Sequence, residues 1–205
     1  EGVKRLRGIS YRPMPDRIIA GTLLAAGAVT GGEIAVIGAM PQDMTAILAK
    51  LKEMGCRIGE GDGRVDLAAP RRLTAFSNLQ TLPYPGFPTD MQAQMLALAV
   101  TAKGSSVITE NVFENRFTHV PDFHRMGADI LVNGRMAVIR GVKRLHGARV
   151  TSHDLRGGAA LVLAGLAAEG ITEVEQVELI DRGYERLENQ LALLGARIER
   201  ARVDG

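Results

Sequence analysis

The sequence has 205 residues, of which 46% are hydrophobic and 23% charged, a balance that fits a globular protein with one sizeable core. The net charge is only +2 and basic residues do not alternate with aromatic ones, so nucleic acid is not an expected partner. Charge or glycine interrupts every apolar run, so no membrane span or secretion signal is expected. The single cysteine, Cys56, excludes an internal disulfide framework and favours a reducing compartment, the cytoplasm.

A short phrase occurs three times along the chain, as KEMGCRI, HRMGADI and ALLGARI. Aligning the three copies also aligns an Asp that lies 39, 37 and 41 residues before the shared glycine. A repeat of this length indicates three related units, which we assign roughly to residues 8–72, 73–144 and 145–205 of one domain. The aligned residues are Asp16, Asp90 and Asp154, followed by Gly55, Gly127 and Gly195.

The first two units predict the same order of elements. An Asp starts a helix of apolar and small residues, a strand follows, a second helix ends at the shared glycine, and two strands close the unit. The first unit predicts them at 16–32, 33–39, 44–55, 56–61 and 64–69, with the last two joined near Asp62 and Gly63. The second predicts them at 90–104, 105–113, 119–127, 129–132 and 136–141, with a tight turn at Asn133 and Gly134.

The third unit predicts a helix at 154–170, a strand at 171–180, a helix at 184–195 and a final strand at 196–203. That final strand has no partner in the sequence, and an unpaired strand edge favours aggregation. The chain also begins with Glu1 rather than Met. We therefore expect it to be part of a longer protein, in which another segment completes the third sheet.

The first helix of every unit is dense in Ala, Gly and Leu and carries little charge. Such a helix is suited to burial on all sides. The predicted fold class is therefore α/β (α+β), with three buried helices packed together inside three outward-facing sheets.

The three aligned Asp residues stand at predicted helix starts, where a carboxylate caps exposed N–H groups and complements the helix dipole. They are therefore interpreted first as structural, and Thr89 and Gln92 have capping-box spacing around Asp90. Cys56 aligns with Ala128 and Ala196, so we expect a small buried residue rather than a nucleophile.

The histidines lack the spacing of a metal site, so no metal or cofactor is expected. His153, beside Asp154, is either an acid–base group or, as is commoner for such a position, a loop histidine. The four histidines are His119, His124, His146 and His153.

Three arginines break the threefold pattern. Arg116 and Arg182 follow the strands of the second and third units, and Arg156 lies two residues into its helix, whereas the first unit has no arginine in these places. Guanidinium groups from two neighbouring units are suited to one anion that carries both a phosphate and a carboxylate. Alternatively, each is a surface arginine or half of an ion pair, such as Arg182 with Asp181. For the three together, the pattern favours an anion site.

Six motifs, in order, closely resemble the C-terminal half of the UDP-N-acetylglucosamine enolpyruvyl transferases. They are PDRIIAGT, FPTDMQAQ, ENVFENRF, MGADI, DLRGGAALVLAGLAAEG and DRGYERLENQLALLGA. The resemblance covers nearly the whole chain and implies two domains, each an inside-out α/β barrel of three βαβαββ repeats around a pseudo-threefold axis. It also implies that the N-terminal domain of the same enzyme carries a reactive Cys loop, a Lys and a further Arg.

The resemblance implies transfer of the enolpyruvyl group from phosphoenolpyruvate to the 3-hydroxyl of UDP-N-acetylglucosamine, in the first committed step of peptidoglycan synthesis. The arginines would hold phosphoenolpyruvate and stabilise developing charge, while Val112 and Phe113 would line the sugar site. Carried over by motif, the catalytic residues are Asp90 as general base, Asp154 and Arg182, and the substrate-binding residues are Asp90, Val112, Phe113, Arg116, Arg156 and Arg182.

Two positions depart from the family pattern: Leu179 stands where members usually have His, and Ile19 where they usually carry Glu. The alternative functions are the related 3-phosphoshikimate transferase and a noncatalytic scaffold domain. FENRF and DRGYE, as written in this sequence, favour the nucleotide sugar. With half of the active site in the other domain, this chain alone is expected to lack turnover.

Overall fold

The computed structural model describes residues 2–201. In the first unit all five predicted elements form in the predicted order. A hairpin joins the last two strands, and Gly63 in its turn has a φ of 65°, which confirms the turn predicted there. The elements are α1 (Arg17–Val29), β1 (Glu33–Ile37), α2 (Thr45–Glu53), β2 (Arg57–Gly61) and β3 (Arg64–Ala68).

The second unit contains the five predicted elements and one further strand. These are β4 (Asn78–Gln80), α3 (Gln92–Ala99), β5 (Ser105–Thr109), α4 (Val120–Arg125), β6 (Asp129–Asn133) and β7 (Met136–Arg140). The unpredicted strand β4 pairs in parallel with β5, placing Leu79 opposite Ile108. A strand of three residues is too short for its side-chain alternation to be recognised in the sequence.

The third unit departs most from the prediction. Its elements are β8 (Leu145–His146), β9 (Arg149–Thr151), α5 (Leu155–Ala167), β10 (Ala168–Glu169), β11 (Glu173–Glu175), α6 (Glu178–Asp181) and α7 (Leu187–Leu193). The strand predicted at 171–180 is wrong beyond Glu175, because the chain turns at Gln176 with a φ of 56° and then enters α6. Within 196–201 no strand forms, and the rest of the predicted final strand lies outside the described residues.

The glycine of the repeated phrase follows the second helix of each unit. Gly55, Gly127 and Gly195 have φ values of 94°, 87° and 96°, in the left-handed region where a side chain would be strained. The phrase is thus repeated because the same helix end is built three times, which confirms its predicted role.

The three Asp-led helices form the centre of the molecule. Helices α1, α3 and α5 pack against one another, and every residue of α3 is buried. The core side chains Leu24, Leu96 and Leu161, one from each helix, are fully buried. The surrounding sheets have the strand orders β1-β3-β2 and β4-β5-β7-β6, with the parallel pairs β10-β8 and β11-β9 in the third unit. This arrangement confirms the predicted fold class, and no helix within residues 2–201 is long and apolar enough to cross a bilayer.

Candidate functional site

The central feature of the site is a carboxylate held by two guanidinium groups. Asp90 Oδ1 accepts a hydrogen bond from Arg116 Nη2 at 2.9 Å, and Asp90 Oδ2 accepts one from Arg156 Nη2 at 3.0 Å. The Asp90 side chain is 40% exposed, while those of Arg116 and Arg156 are 20% and 13% exposed. The structure therefore brings together two of the three arginines predicted to converge, with an accessible carboxylate between them.

Asp90 does not cap its helix, and the prediction that it does so is wrong. It lies in a 3-10 turn, Thr89–Met91, and α3 begins after Met91 without a side-chain cap. The predicted capping box is also wrong, because the Thr89 hydroxyl donates to Glu110 instead. The carboxylate of Asp90 is consequently free of local backbone bonds and reaches the two arginines.

The other two aligned Asp residues are caps, as predicted. Asp16 accepts hydrogen bonds from the backbone N–H groups of Ile18 and Ile19 at the start of α1. Asp154 accepts from the N–H groups of Arg156 and Gly157 at 2.8 and 2.9 Å. Burial acts to raise the pKa of Asp154, but these N–H groups hold it below its ordinary value. Asp154 is therefore an ionised residue beside Arg156, and its catalytic role stays a prediction.

Arg156 carries hydrogen-bonding capacity that the chain does not use. Its Nε and Nη1 are buried and have no acceptor among residues 2–201. Burial opposes its charge, yet Tyr184 and Asp90 keep the pKa of Arg156 above its ordinary value, so the guanidinium stays charged. Buried donors without partners are uncommon in folded proteins, so these two are available to an oxygen acceptor from outside the chain, a ligand or water.

A buried polar network that the sequence analysis missed lies behind Arg156. The Arg156 guanidinium lies 5.4 Å from the centre of the Tyr184 ring. Thr22 donates to the carbonyl of Ile18, so the Tyr184 hydroxyl, 2.8 Å from Thr22 Oγ1, donates to Thr22. Gln94 Nε2 donates to both hydroxyls at 3.1 Å. Each of the three units thus contributes one side chain to the support of Arg156.

Val112 and Phe113, the predicted sugar-site residues, lie in the loop after β5 and are 42% and 45% exposed. The Arg116 guanidinium lies 4.5 Å from the centre of the Phe113 ring. This contact places the loop beside the Asp90 cluster. Their proposed contact with a sugar stays a prediction.

Arg182 is not joined to the cluster by any hydrogen bond or ion pair within the described chain, residues 2–201. It is exposed at the end of α6. Its neighbour Asp181 pairs with Arg200 at 2.7 Å, so the alternative ion pair between Arg182 and Asp181 does not form. The role of Arg182 in an anion site therefore stays a prediction.

Cys56 is buried, as predicted, and burial raises the pKa of its thiol to about 11. A thiol with such a pKa is protonated near neutral pH, which argues against a nucleophilic role. His153 is held through Nε2 by the buried carboxylate of Asp122, at 3.1 Å. His119, which the sequence analysis did not select, is fully enclosed near Arg116 and Asp154, and burial lowers its pKa to about 4.

His119 predicts a pH dependence of stability. The unfolded chain takes up a proton at His119 near the ordinary pKa of about 6.5, whereas the folded chain resists protonation down to about pH 4. The contribution of His119 to the free energy of unfolding is therefore fully present at neutral pH. It falls by on the order of 2 kcal/mol as the pH drops from about 6.5 towards about 4. Urea unfolding at about pH 7 and pH 4.5 measures this. Between the two pH values the free energy of unfolding is expected to fall less for His119→Gln than for wild type. The exposed His146→Gln variant should keep the wild-type dependence, and an unchanged dependence in His119→Gln would contradict the assignment.

Several known proteins resemble this chain over nearly all of its length. The family model described as EPSP synthase (3-phosphoshikimate 1-carboxyvinyltransferase) matches residues 1–191. A UDP-N-acetylglucosamine 1-carboxyvinyltransferase of Myxococcus xanthus is 52% identical over 203 residues, which is 99% of this chain and 48% of that protein. One of Desulfofundulus thermocisternus is 51% identical over 205 residues, which is 100% of this chain and 84% of that protein.

Among solved structures, the crystal structure of the enolpyruvyl transferase NikO from Streptomyces tendae matches with a TM-score of 0.82 and 27% identity. The match covers 92% of this chain and 44% of that one. The chain spans about half the length of several curated relatives that it matches.

The fold and the family match place the chain in the enolpyruvyl transferase class. The chain belongs to the UDP-N-acetylglucosamine 1-carboxyvinyltransferase family within that class. The resemblance stated from the sequence motifs is thereby confirmed.

Proposed function

We propose that this chain is the C-terminal catalytic domain of an enzyme that transfers the enolpyruvyl group from phosphoenolpyruvate to the 3-hydroxyl of UDP-N-acetylglucosamine, releasing phosphate. The observation that carries the proposal is the pair of arginines on Asp90, one of which has two buried N–H-bearing atoms without an acceptor in residues 2–201. Phosphate and carboxylate oxygens are the acceptors that a guanidinium fork matches best. Relatives at about 50% identity carry the corresponding name.

The proposed chemistry is addition followed by elimination. The sugar hydroxyl gives its proton to Asp90 while its oxygen bonds to C2 of phosphoenolpyruvate and C3 gains a proton. The C2–O bond to phosphate then breaks as C3 loses a proton, which restores the double bond. A carboxylate takes a proton from a hydroxyl efficiently only when it is placed close to it, so the position of Asp90 is decisive in this proposal. Arg116 and Arg156 stabilise the charge of the tetrahedral intermediate.

The remaining groups of the site are proposed to come from a second domain of the same enzyme, so this chain alone would not turn over. We place the enzyme in the cytoplasm, as part of peptidoglycan synthesis, with no nucleic-acid or membrane partner. UDP-N-acetylglucosamine contacts Asp90, Val112 and Phe113 in this proposal. Phosphoenolpyruvate contacts the arginines.

A phosphate-release assay on the full-length protein tests the function. With phosphoenolpyruvate present, UDP-N-acetylglucosamine is expected to support phosphate release and 3-phosphoshikimate is not. Release with 3-phosphoshikimate but not with UDP-N-acetylglucosamine would favour the alternative function, that of a 3-phosphoshikimate transferase. No release with either acceptor would favour a noncatalytic scaffold.

Arg182→Ala in the full-length enzyme is expected to raise the KM for phosphoenolpyruvate about thirtyfold, equivalent to about 2 kcal/mol for a lost guanidinium–anion contact. The exposed guanidinium of Arg182 has no partner among residues 2–201 and is available to a ligand. Arg140→Ala is the control, because Arg140 is 64% exposed on strand β7 and 3.7 Å from Asp129. If the KM is unchanged in both variants, Arg182 lies outside the anion site.

A further inference from the structure

Glu110 is a buried carboxylate that four hydrogen bonds satisfy. It is 1% exposed. Its Oε1 accepts from Thr81 Oγ1 at 2.7 Å, from the N–H of Val112 at 2.9 Å and from the N–H of Phe113 at 3.1 Å. Its Oε2 accepts from Thr89 Oγ1 at 2.9 Å. A buried carboxylate is unfavourable unless it is bonded in this way, so the site is built around Glu110.

The internal repeat shows that this carboxylate is not a requirement of the fold. Glu110 lies six residues after Gly104, and the glycines at the corresponding strand starts, Gly32 and Gly170, place Gly38 and Gln176 at the equivalent positions. A side chain at Gly38 would meet open space. The first and third units therefore form their strands without an equivalent buried carboxylate, and Glu110 serves something particular to the second unit.

Three of the four donors come from two segments that carry the candidate site, and the fourth, Thr81, directly follows β4. Thr89 directly precedes Asp90, and the N–H groups belong to Val112 and Phe113. The Phe113 ring contacts Arg116, and Arg116 donates to Asp90. Glu110 is therefore linked to Asp90 on both sides, through Thr89 and through the loop. A shift of either segment would change the distance between the Asp90 carboxylate and the loop.

We propose that Glu110 is a positioning residue that fixes the Asp90 carboxylate relative to the Val112–Phe113 loop, and thereby the sugar hydroxyl relative to its base. This inference rests on the proposed function. Within residues 2–201 Glu110 has no hydrogen bond with the Asp90 carboxylate. It acts through Thr89 and through the N–H groups of the loop. Misplacement of a base by a small distance lowers the rate much more than it changes affinity.

The test compares three variants of the full-length enzyme. Thr89→Val removes only the bond to Oε2 and is expected to lower kcat roughly tenfold while the KM for UDP-N-acetylglucosamine stays within about twofold. Glu110→Ala also frees the loop and is expected to lower kcat and raise that KM. Glu110→Gln keeps an acceptor at Oε1, and the Thr89 hydroxyl can turn to accept from the new amide. This variant should therefore have nearly wild-type kcat and KM for UDP-N-acetylglucosamine.

Thr151→Val is the matched control. The Thr151 hydroxyl donates to Glu175 at 3.4 Å across the strands β9 and β11, which correspond to β4 and β5. Unlike the bonds to Glu110, this hydrogen bond is exposed. The kinetic constants of this variant should equal those of wild type. Should Glu110→Ala fail to fold, Thr89→Val decides: wild-type kcat in that variant overturns the proposal.

Amide hydrogen exchange separates this proposal from the proposed function. The N–H groups of Val112 and Phe113 are expected to be protected in wild type, Glu110→Gln and Thr151→Val, and to exchange faster in Glu110→Ala. If wild type releases no phosphate, the proposed function fails while the exchange data still report whether Glu110 holds the loop. Equal exchange in wild type and Glu110→Ala overturns the positioning role.

Discussion

Asp90→Asn in the full-length enzyme is expected to lower kcat by roughly a hundredfold or more, the usual scale for loss of a general base. Asn has nearly the same shape as Asp, but its amide cannot take the proton of the sugar hydroxyl. It also presents an NH2 group to one of the two arginines that now donate to the carboxylate. Phosphate release at saturating concentrations of both substrates measures the effect.

The internal repeat supplies the control. Asp16 is the aligned residue of the first unit, and within residues 2–201 its carboxylate accepts hydrogen bonds only from the start of α1. Asn is as good a helix cap as Asp, so Asp16→Asn should keep wild-type kcat and nearly wild-type stability. A kcat for Asp90→Asn that stays close to the Asp16→Asn value would remove Asp90 from the chemistry and leave it as a partner of Arg116 and Arg156.

Much of the fold could be predicted because its signals are local. An Asp before an apolar helix, a glycine after the second helix and a turn at Asn133 and Gly134 each act within a few residues. The short strands β4, β8 and β9 pair in parallel with β5, β10 and β11, so they depend on distant segments. The turn at Gln176 ends the strand at Glu175. No local pattern records them.

The site could be predicted in part because it breaks the repeat. The comparison of units selected Arg116 and Arg156, which meet on Asp90, but it also selected Arg182, which the described contacts do not join to them. Asp90 was misassigned as a cap because its sequence context is that of Asp16. The 3-10 turn before α3 makes the difference, because it moves Asp90 away from the helix start that Asp16 caps.

The supporting residues were missed because their role depends on contacts between units. Gln94 lies in a largely apolar helix and Tyr184 lies among charged residues. The two meet Thr22 only through hydrogen bonds across units. Glu110 could have been found by the same comparison that selected the arginines, since the aligned residues are Gly38 and Gln176. A polar residue that is missing from at least one of the three units was therefore the most productive signal in this sequence.

One carboxylate in the site faces two guanidinium groups. Asp90 pairs with both Arg116 and Arg156, so a single negative charge is shared between two positive ones. An incoming phosphate or carboxylate would offer these arginines further oxygen acceptors. We expect the number and geometry of guanidinium donors, rather than positive charge alone, to determine the affinity for such an anion.

Arg156→Lys tests that conclusion and is expected to raise the KM for phosphoenolpyruvate by roughly tenfold to a hundredfold, because each hydrogen bond to a charged group contributes about 1.5 to 3 kcal/mol. Lysine keeps the charge, but its single ammonium cannot serve Asp90 and at the same time replace the buried donors Nε and Nη1. Arg64→Lys is the matched control, since Arg64 also pairs with a carboxylate, that of Asp66 at 2.7 Å, but on an exposed sheet surface. Equal KM values in the two variants would mean that charge suffices, and that the unused donors of Arg156 do not bind the anion.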